Sequence, residues 1–122
     1  MIFGIGVDNC ELARIERAIT RSETFVRKMM NDAEFARFSK ISTKNRRIEF
    51  VAGLWAAKEA YAKALGTGYS HGITPEKISV DSDALGKPLI SSPFFSGHAN
   101  VSITHDGGLA TAFVTLEFAD KM

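Results

Sequence analysis

The feature that most constrains this chain is an alanine-rich helix spanning about residues 43–65. Thr43 stands at its N-cap position and Gly66 beyond its C-terminus, and it carries Ala52, Ala56, Ala57, Ala60, Ala62 and Ala64. Side chains this small let neighbouring elements approach unusually closely. A second bare surface lies near the start. Residues 2–8 read as a strand with Phe3, Ile5 and Val7 on one face and Ile2, Gly4, Gly6 and Asp8 on the other. Glycine weakens a strand, and often marks close approach of a ligand or another backbone. The strand therefore offers a flat face that ends in a carboxylate.

The remaining elements follow from periodicity and punctuation. A helix over about 10–20 buries Leu12, Ile15 and Ile19, while Arg14, Arg17 and Arg21 share the same spacing on the far side. At about 100° per residue the two stripes lie roughly 150° apart. Asp8 or Asn9 can cap this helix, and if Asn9 does so, Asp8 is free for another task. Phe25, Met29 and Met30 mark a second short helical stretch. Asn31 with Glu34 forms a capping-box pattern ahead of Phe35 and Phe38. Beyond the loop Gly66-Thr67-Gly68, strands are predicted at 78–81 and 89–91 around Gly86-Lys87-Pro88. Two more, at 100–104 and 109–117, flank the hairpin signal Asp106-Gly107-Gly108. Helices in the first half and antiparallel strands in the second, with the first strand joining the sheet, predict an α+β fold. A length of 122 residues predicts a single domain covering 1–122.

Composition narrows the function classes. Fifteen Lys+Arg against fourteen Asp+Glu leave a net charge of +1, so bulk charge does not point to nucleic acid, and any anion must be met by local clustering. No run approaches the roughly twenty apolar residues of a membrane span. The N-terminus lacks the basic leader of a signal peptide. A cytoplasmic protein with no membrane partner is expected. The single cysteine, Cys10, excludes an internal disulfide and reads as a small buried residue.

Several residues carry chemistry. Asp8 is a hard oxygen ligand suited to Mg²⁺, which takes one or two protein carboxylates and completes its shell with water and phosphate. Glu59 and Lys63 are four residues apart on the long helix, a spacing that also describes a surface ion pair. In an alanine-rich, partly buried setting, however, the carboxylate can hold a metal while the ammonium meets phosphate. His105 ends a strand beside a turn, where a ligand can reach it. The Gly66–Gly68 loop is not a phosphate-binding motif by itself, since a helix C-terminus disfavours anions.

Taken together, Gly4-Ile5-Gly6-Val7-Asp8, Trp55-Ala56-Ala57-Lys58-Glu59-Ala60 running into Lys63-Ala64-Leu65-Gly66-Thr67-Gly68, then Gly86-Lys87-Pro88 and Val101-Ser102-Ile103-Thr104-His105 closely resemble the holo-acyl-carrier-protein synthases of the 4′-phosphopantetheinyl transferase superfamily. The resemblance spans nearly the whole chain. It implies that Asp8 and Glu59 ligate Mg²⁺ and that Lys63 lies near the coenzyme A diphosphate. It further implies that Gly66, Thr67, Gly68, Pro88 and His105 line the coenzyme A site. By the same resemblance, Arg14, Arg17 and Arg21 dock an acidic apo-acyl carrier protein, and the protein is a homotrimer with sites between subunits. Leu54 and Ala62 depart from the arginine and serine frequent in the family, and Lys44, Arg46 and Arg47 are candidate replacement charges for the 3′-phosphate.

The implied reaction is attack of a carrier serine on coenzyme A, transferring 4′-phosphopantetheine in support of fatty acid biosynthesis and releasing adenosine 3′,5′-bisphosphate. Its catalytic residues would be Asp8, Glu59 and Lys63. Glu59, a metal-bound water and His105 all remain candidates for the general base, with a carboxylate acting through a water preferred. Two rivals stand beside this reading. A phosphatase with an aspartate nucleophile needs a parallel α/β core. A non-enzymatic module binding acidic, carrier-like helices through the arginine stripe leaves Glu59 and Lys63 without a role.

Overall fold

The computed structural model describes residues 1–119. Strand β1 (Ile2–Glu11) leads into three short helices, α1 (Leu12–Arg21), α2 (Glu23–Met29) and α3 (Asp32–Ser39). The long helix α4 (Lys44–Leu65) follows, then a 3₁₀ turn at Pro75–Lys77 and strands β2 (Ser79–Ser82), β3 (Pro88–Ser91), β4 (His98–Asp106) and β5 (Leu109–Glu117). The sheet order is β1-β5-β4, antiparallel throughout, with β2 and β3 forming a separate hairpin. The fold is α+β as expected, and an antiparallel sheet lacks the parallel core that the phosphatase rival needs.

The glycine face of β1 explains the architecture. Gly4, Gly6, Asp8 and Cys10 pair with Leu116, Val114, Ala112 and Ala110 of β5, so all eight share one side of the sheet. The four β5 residues and Cys10 are buried against α4. A Cβ on Gly6 would stand 1.9 Å from the Ala60 carbonyl oxygen, and one on Gly4 equally close to that of Ala64. The close approach marked by the two glycines is therefore that of another backbone: α4 lies directly on the main chain of β1. Ala56, Ala57, Ala60 and Ala64 keep the helix slim enough to do so.

Several local expectations change. Asn9 does not cap α1. Strand β1 runs on to Glu11, which holds the N-cap position without a side-chain bond, while the Asn9 side chain accepts from Thr111 at 2.7 Å. The extra strand residues are held by β5, whose ladder reaches Glu11 opposite Leu109, and tertiary pairing overrides the local helix signal. Thr43 is the N-cap residue of α4 but makes no side-chain cap bond. Gly66 terminates α4 in the left-handed conformation, φ 85°, and Gly107 and Gly108 turn the β4–β5 hairpin with positive φ. The Asn31–Glu34 capping box forms in full.

Candidate active site

Two elements supply the acidic cluster. Asp8 projects from the inner face of β1 beyond Gly6, and Glu59 and Lys63 share one face of α4. Because the glycines admit α4 so closely, the strand end and the helix face meet. Lys63 Nζ donates to Asp8 Oδ1 at 2.8 Å and to the Val7 carbonyl at 3.1 Å. Its ammonium is held above the ordinary lysine range, chiefly by the hydrogen bond to Asp8. The Lys63 side chain is 53% exposed and that of Asp8 18%, so the contact contributes at most about 1 kcal/mol to stability.

Glu59 is pushed the other way. Burial first, and then the Asp8 charge, raise its carboxyl above the usual range, while Lys63 and Arg14 pull it back. Two carboxylates that repel each other, with Lys63 bonded to one and acting on the other, are hard oxygen donors of the kind a divalent cation takes. Among the described residues no group of three or more His, Cys, Asp or Glu side chains gathers to hold a metal. A divalent ion on Asp8 and Glu59 would thus keep most of its shell for water and substrate oxygens, a set that suits Mg²⁺ better than zinc.

Tyr69 was not singled out in the sequence, yet it belongs beside this pair. Its phenol is pushed upward by burial and then by Glu59 and Asp8. The available signal was its place directly after Gly68, in the loop that closes α4. Within that loop the Gly68 amide donates to the Ala62 carbonyl at 3.2 Å, so its backbone is used to stop the helix.

Pro88 and His105 lie elsewhere in the chain. They share a groove with Arg37, Gly53, Leu54 and Asp81, beside the first half of α4. His105 Nε2 donates to the Glu49 carbonyl at 3.1 Å, which assigns the proton to that nitrogen. Glu49 precedes Glu59 by ten residues, or about 15 Å along the helix. A single chain therefore does not bring His105 to the acid pair. Of the candidate replacement charges, Arg46 lines a pocket with His105, Glu49 and Phe50, whereas Lys44 pairs with Glu16 at 2.9 Å and Arg47 stacks on Phe38.

Arg14, Arg17 and Arg21 are exposed on α1 and, with Ala18 and Phe25, line a depression of about 300 Å³. Arg14 also acts on the Glu59 carboxyl, so this basic face borders the acid pair. Cys10, beneath it, is buried and its thiol is raised to about 11, a protonated and inert group.

The sequence profile of the 4′-phosphopantetheinyl transferase superfamily matches residues 4–114. A holo-[acyl-carrier-protein] synthase of Lactococcus lactis is 44% identical over 96% of this chain and 98% of its own length. That of Anoxybacillus flavithermus is 45% identical over 96% and 97%. The chain belongs to the holo-acyl-carrier-protein synthase family. Among solved structures, the holo-(acyl-carrier-protein) synthase of Bacillus anthracis, in complex with CoA (3′,5′-ADP), superposes with a TM-score of 0.89 at 37% identity, covering 98% of this chain and 99% of its own. The Helicobacter pylori holo-[acyl-carrier-protein] synthase, in complex with coenzyme A, gives 0.81 at 28% identity, covering 93% and 99%. Holo-acyl-carrier-protein synthases thus share this chain's fold over nearly its full length.

Proposed function

We propose that this chain, as one domain over 1–122, transfers 4′-phosphopantetheine from coenzyme A to a serine of apo-acyl carrier protein, with Asp8 and Glu59 holding Mg²⁺. Family membership supports the reaction, and the observation that carries the site is Lys63 on Asp8 with Glu59 beside them. The bound ion would supply charge neutralisation and polarisation at the diphosphate. Lys63 is within reach of the same place, and its ammonium offsets charge on the leaving bisphosphate. Phosphoryl transfer depends chiefly on alignment and charge stabilisation, so residues that orient and neutralise suffice for most of the chemistry.

Glu59 is the better general base of the two side chains considered. Its carboxylate stands beside Asp8 and Lys63, where the diphosphate is proposed to lie, whereas His105 Nε2 donates its proton to the Glu49 carbonyl and offers no lone pair there. Acting through a water, Glu59 takes the serine proton as the new ester bond forms. The arginine face of α1 receives the acidic carrier beside the acid pair. By family likeness the Gly66–Gly68 loop lines the coenzyme A site, with Tyr69 following it beside the acid pair.

The active unit is a homotrimer in which the Pro88–His105 groove of one subunit completes the Asp8–Glu59 cluster of the next. Two observations support this: the separation of those groups within one chain, and an apolar outer sheet face. On that face Phe3, Ile5, Val7 and Phe113 are each at least 45% exposed. Among the described residues no helix is long and apolar enough to cross a membrane, in keeping with a cytoplasmic enzyme. Incubating apo-carrier with coenzyme A and magnesium should increase the carrier's intact mass by one phosphopantetheine. Asp8→Ala or Glu59→Ala should abolish the increase while leaving circular dichroism unchanged. Near-normal turnover in either variant overturns the metal assignment, and carrier binding without any mass change favours a mere docking module.

A further inference from the structure

Lys58 and Glu34 have no place in the mechanism above, yet they form a fully hydrogen-bonded ion pair in the interior. Both are fully buried, with Nζ and Oε1 2.6 Å apart. The ammonium spends its three protons on Glu34 Oε1, the Met29 carbonyl at 2.7 Å and the Pro75 carbonyl at 2.9 Å. Glu34 in turn accepts the Asn31 amide at 3.0 Å on Oε1 and the Val80 amide at 2.7 Å on Oε2. Burial lowers the Lys58 pKa, and the bond to Glu34 opposes that shift.

A buried ion pair adds little net stability over an apolar pair of the same volume, but its bonds are directional and fix where their partners lie. Two of these partners, Met29 and Val80, lead to different parts of the proposed trimeric site. Met29 ends α2, whose Phe25 lines the arginine depression. Val80 belongs to β2 and lines the His105 groove. Lys58 itself immediately precedes Glu59 on α4. The ammonium therefore ties α2 to the turn of α4 that carries Glu59, and its counter-ion Glu34 ties both to the β2 edge of the groove.

We propose that Lys58, neutralised by Glu34, is a positioning residue for phosphopantetheine transfer, setting Glu59 in register with the α2 edge of its own site and, through Glu34, holding the β2 edge of the groove offered to the next subunit. The inference rests on the transferase reading. Misplacing a reacting group by about 1 Å costs on the order of 100-fold in rate, so loosening this point should act on turnover more than on binding.

The test compares the parent with the charge-free double variant Lys58→Met/Glu34→Gln and with Glu34→Gln alone. All are assayed with apo-carrier, coenzyme A and magnesium, far below each protein's melting midpoint. The expected result is a double variant that folds with a midpoint near the parent's. Its kcat should fall roughly 10- to 100-fold, with KM for coenzyme A changed by less than about threefold. Glu34→Gln should lose turnover similarly and melt earlier, because it leaves the ammonium buried without its counter-charge. A folded double variant with the parent's kcat overturns the proposal. Failure of both variants to fold makes the pair an element of stability alone, and equally overturns it. A parent that leaves the carrier's mass unchanged sinks the transferase reading itself, and this assignment with it.

Discussion

Glu59 sits partly buried on α4 beside Asp8, and both circumstances oppose its ionisation. A carboxyl whose folded pKa is raised keeps its proton in the folded state to higher pH than in the unfolded chain. Stability therefore falls as pH rises from the ordinary value of 4.5 to the folded value, and the loss is complete above it. Glu59→Gln removes that loss. In chelator, the variant should melt above the parent at neutral pH, and the gain should vanish below about pH 4. A gain of equal size at both pH values would show that Asp8 and burial do not load this group. Asp8 stood out in the sequence as a carboxylate after two glycines, whereas Glu59 and Lys63, at the spacing of an ordinary surface ion pair, were singled out only with the family's motif. Lys58 was not, since lysine is normally exposed and no periodicity marks one whose partners come from Met29, Glu34 and Pro75.

Among the elements, the contact between β1 and α4 decides the site. Gly6→Ala places a methyl group where the Ala60 carbonyl already stands, and main-chain atoms cannot swing aside. The variant should lose at least about 3 kcal/mol of stability in urea unfolding, the upper end of ordinary overpacking. An unchanged midpoint would mean that the two backbones are not in contact. Helix α1 tests the carrier surface. Arg14→Glu should raise the KM for carrier several-fold and flatten its salt dependence, because exposed charges act on encounter. An unchanged KM removes α1 from docking. Element types were well marked by glycine, alanine and hydrophobic spacing. The start of α1 was not, because the β5 ladder that extends β1 to Glu11 is formed by residues distant in sequence, Leu109 pairing with Glu11.

For the whole molecule, the outer face of the sheet is the feature to explain. Val7 and Phe113 are cross-strand partners and are 53% and 45% exposed; Ile5 on the same face is 60% exposed. Phe3 also packs with Phe95 and Phe118 in an aromatic cluster, with ring centroids 5.1–5.9 Å apart. The proposed trimer would cover this face with identical copies and would bring a neighbour's His105 towards Glu59. Phe113→Glu should yield monomers by light scattering, with transferase activity reduced at least about tenfold, because a buried unpaired charge is incompatible with a packed interface. A trimer that persists in this variant places the interface elsewhere. The sequence alone could mark Phe3, Ile5 and Val7 as apolar but not as uncovered, since alternation looks the same whichever layer packs against it.

Peptide atoms, rather than interdigitated side chains, fix how far β1 stands from α4. Repacking the hydrophobic interior can change stability without widening the gap between the two acids. The fit of the ion proposed there would thereby be insulated from ordinary drift in core residues. A shift in preference toward a larger cation such as calcium would have to come from the acid side chains themselves.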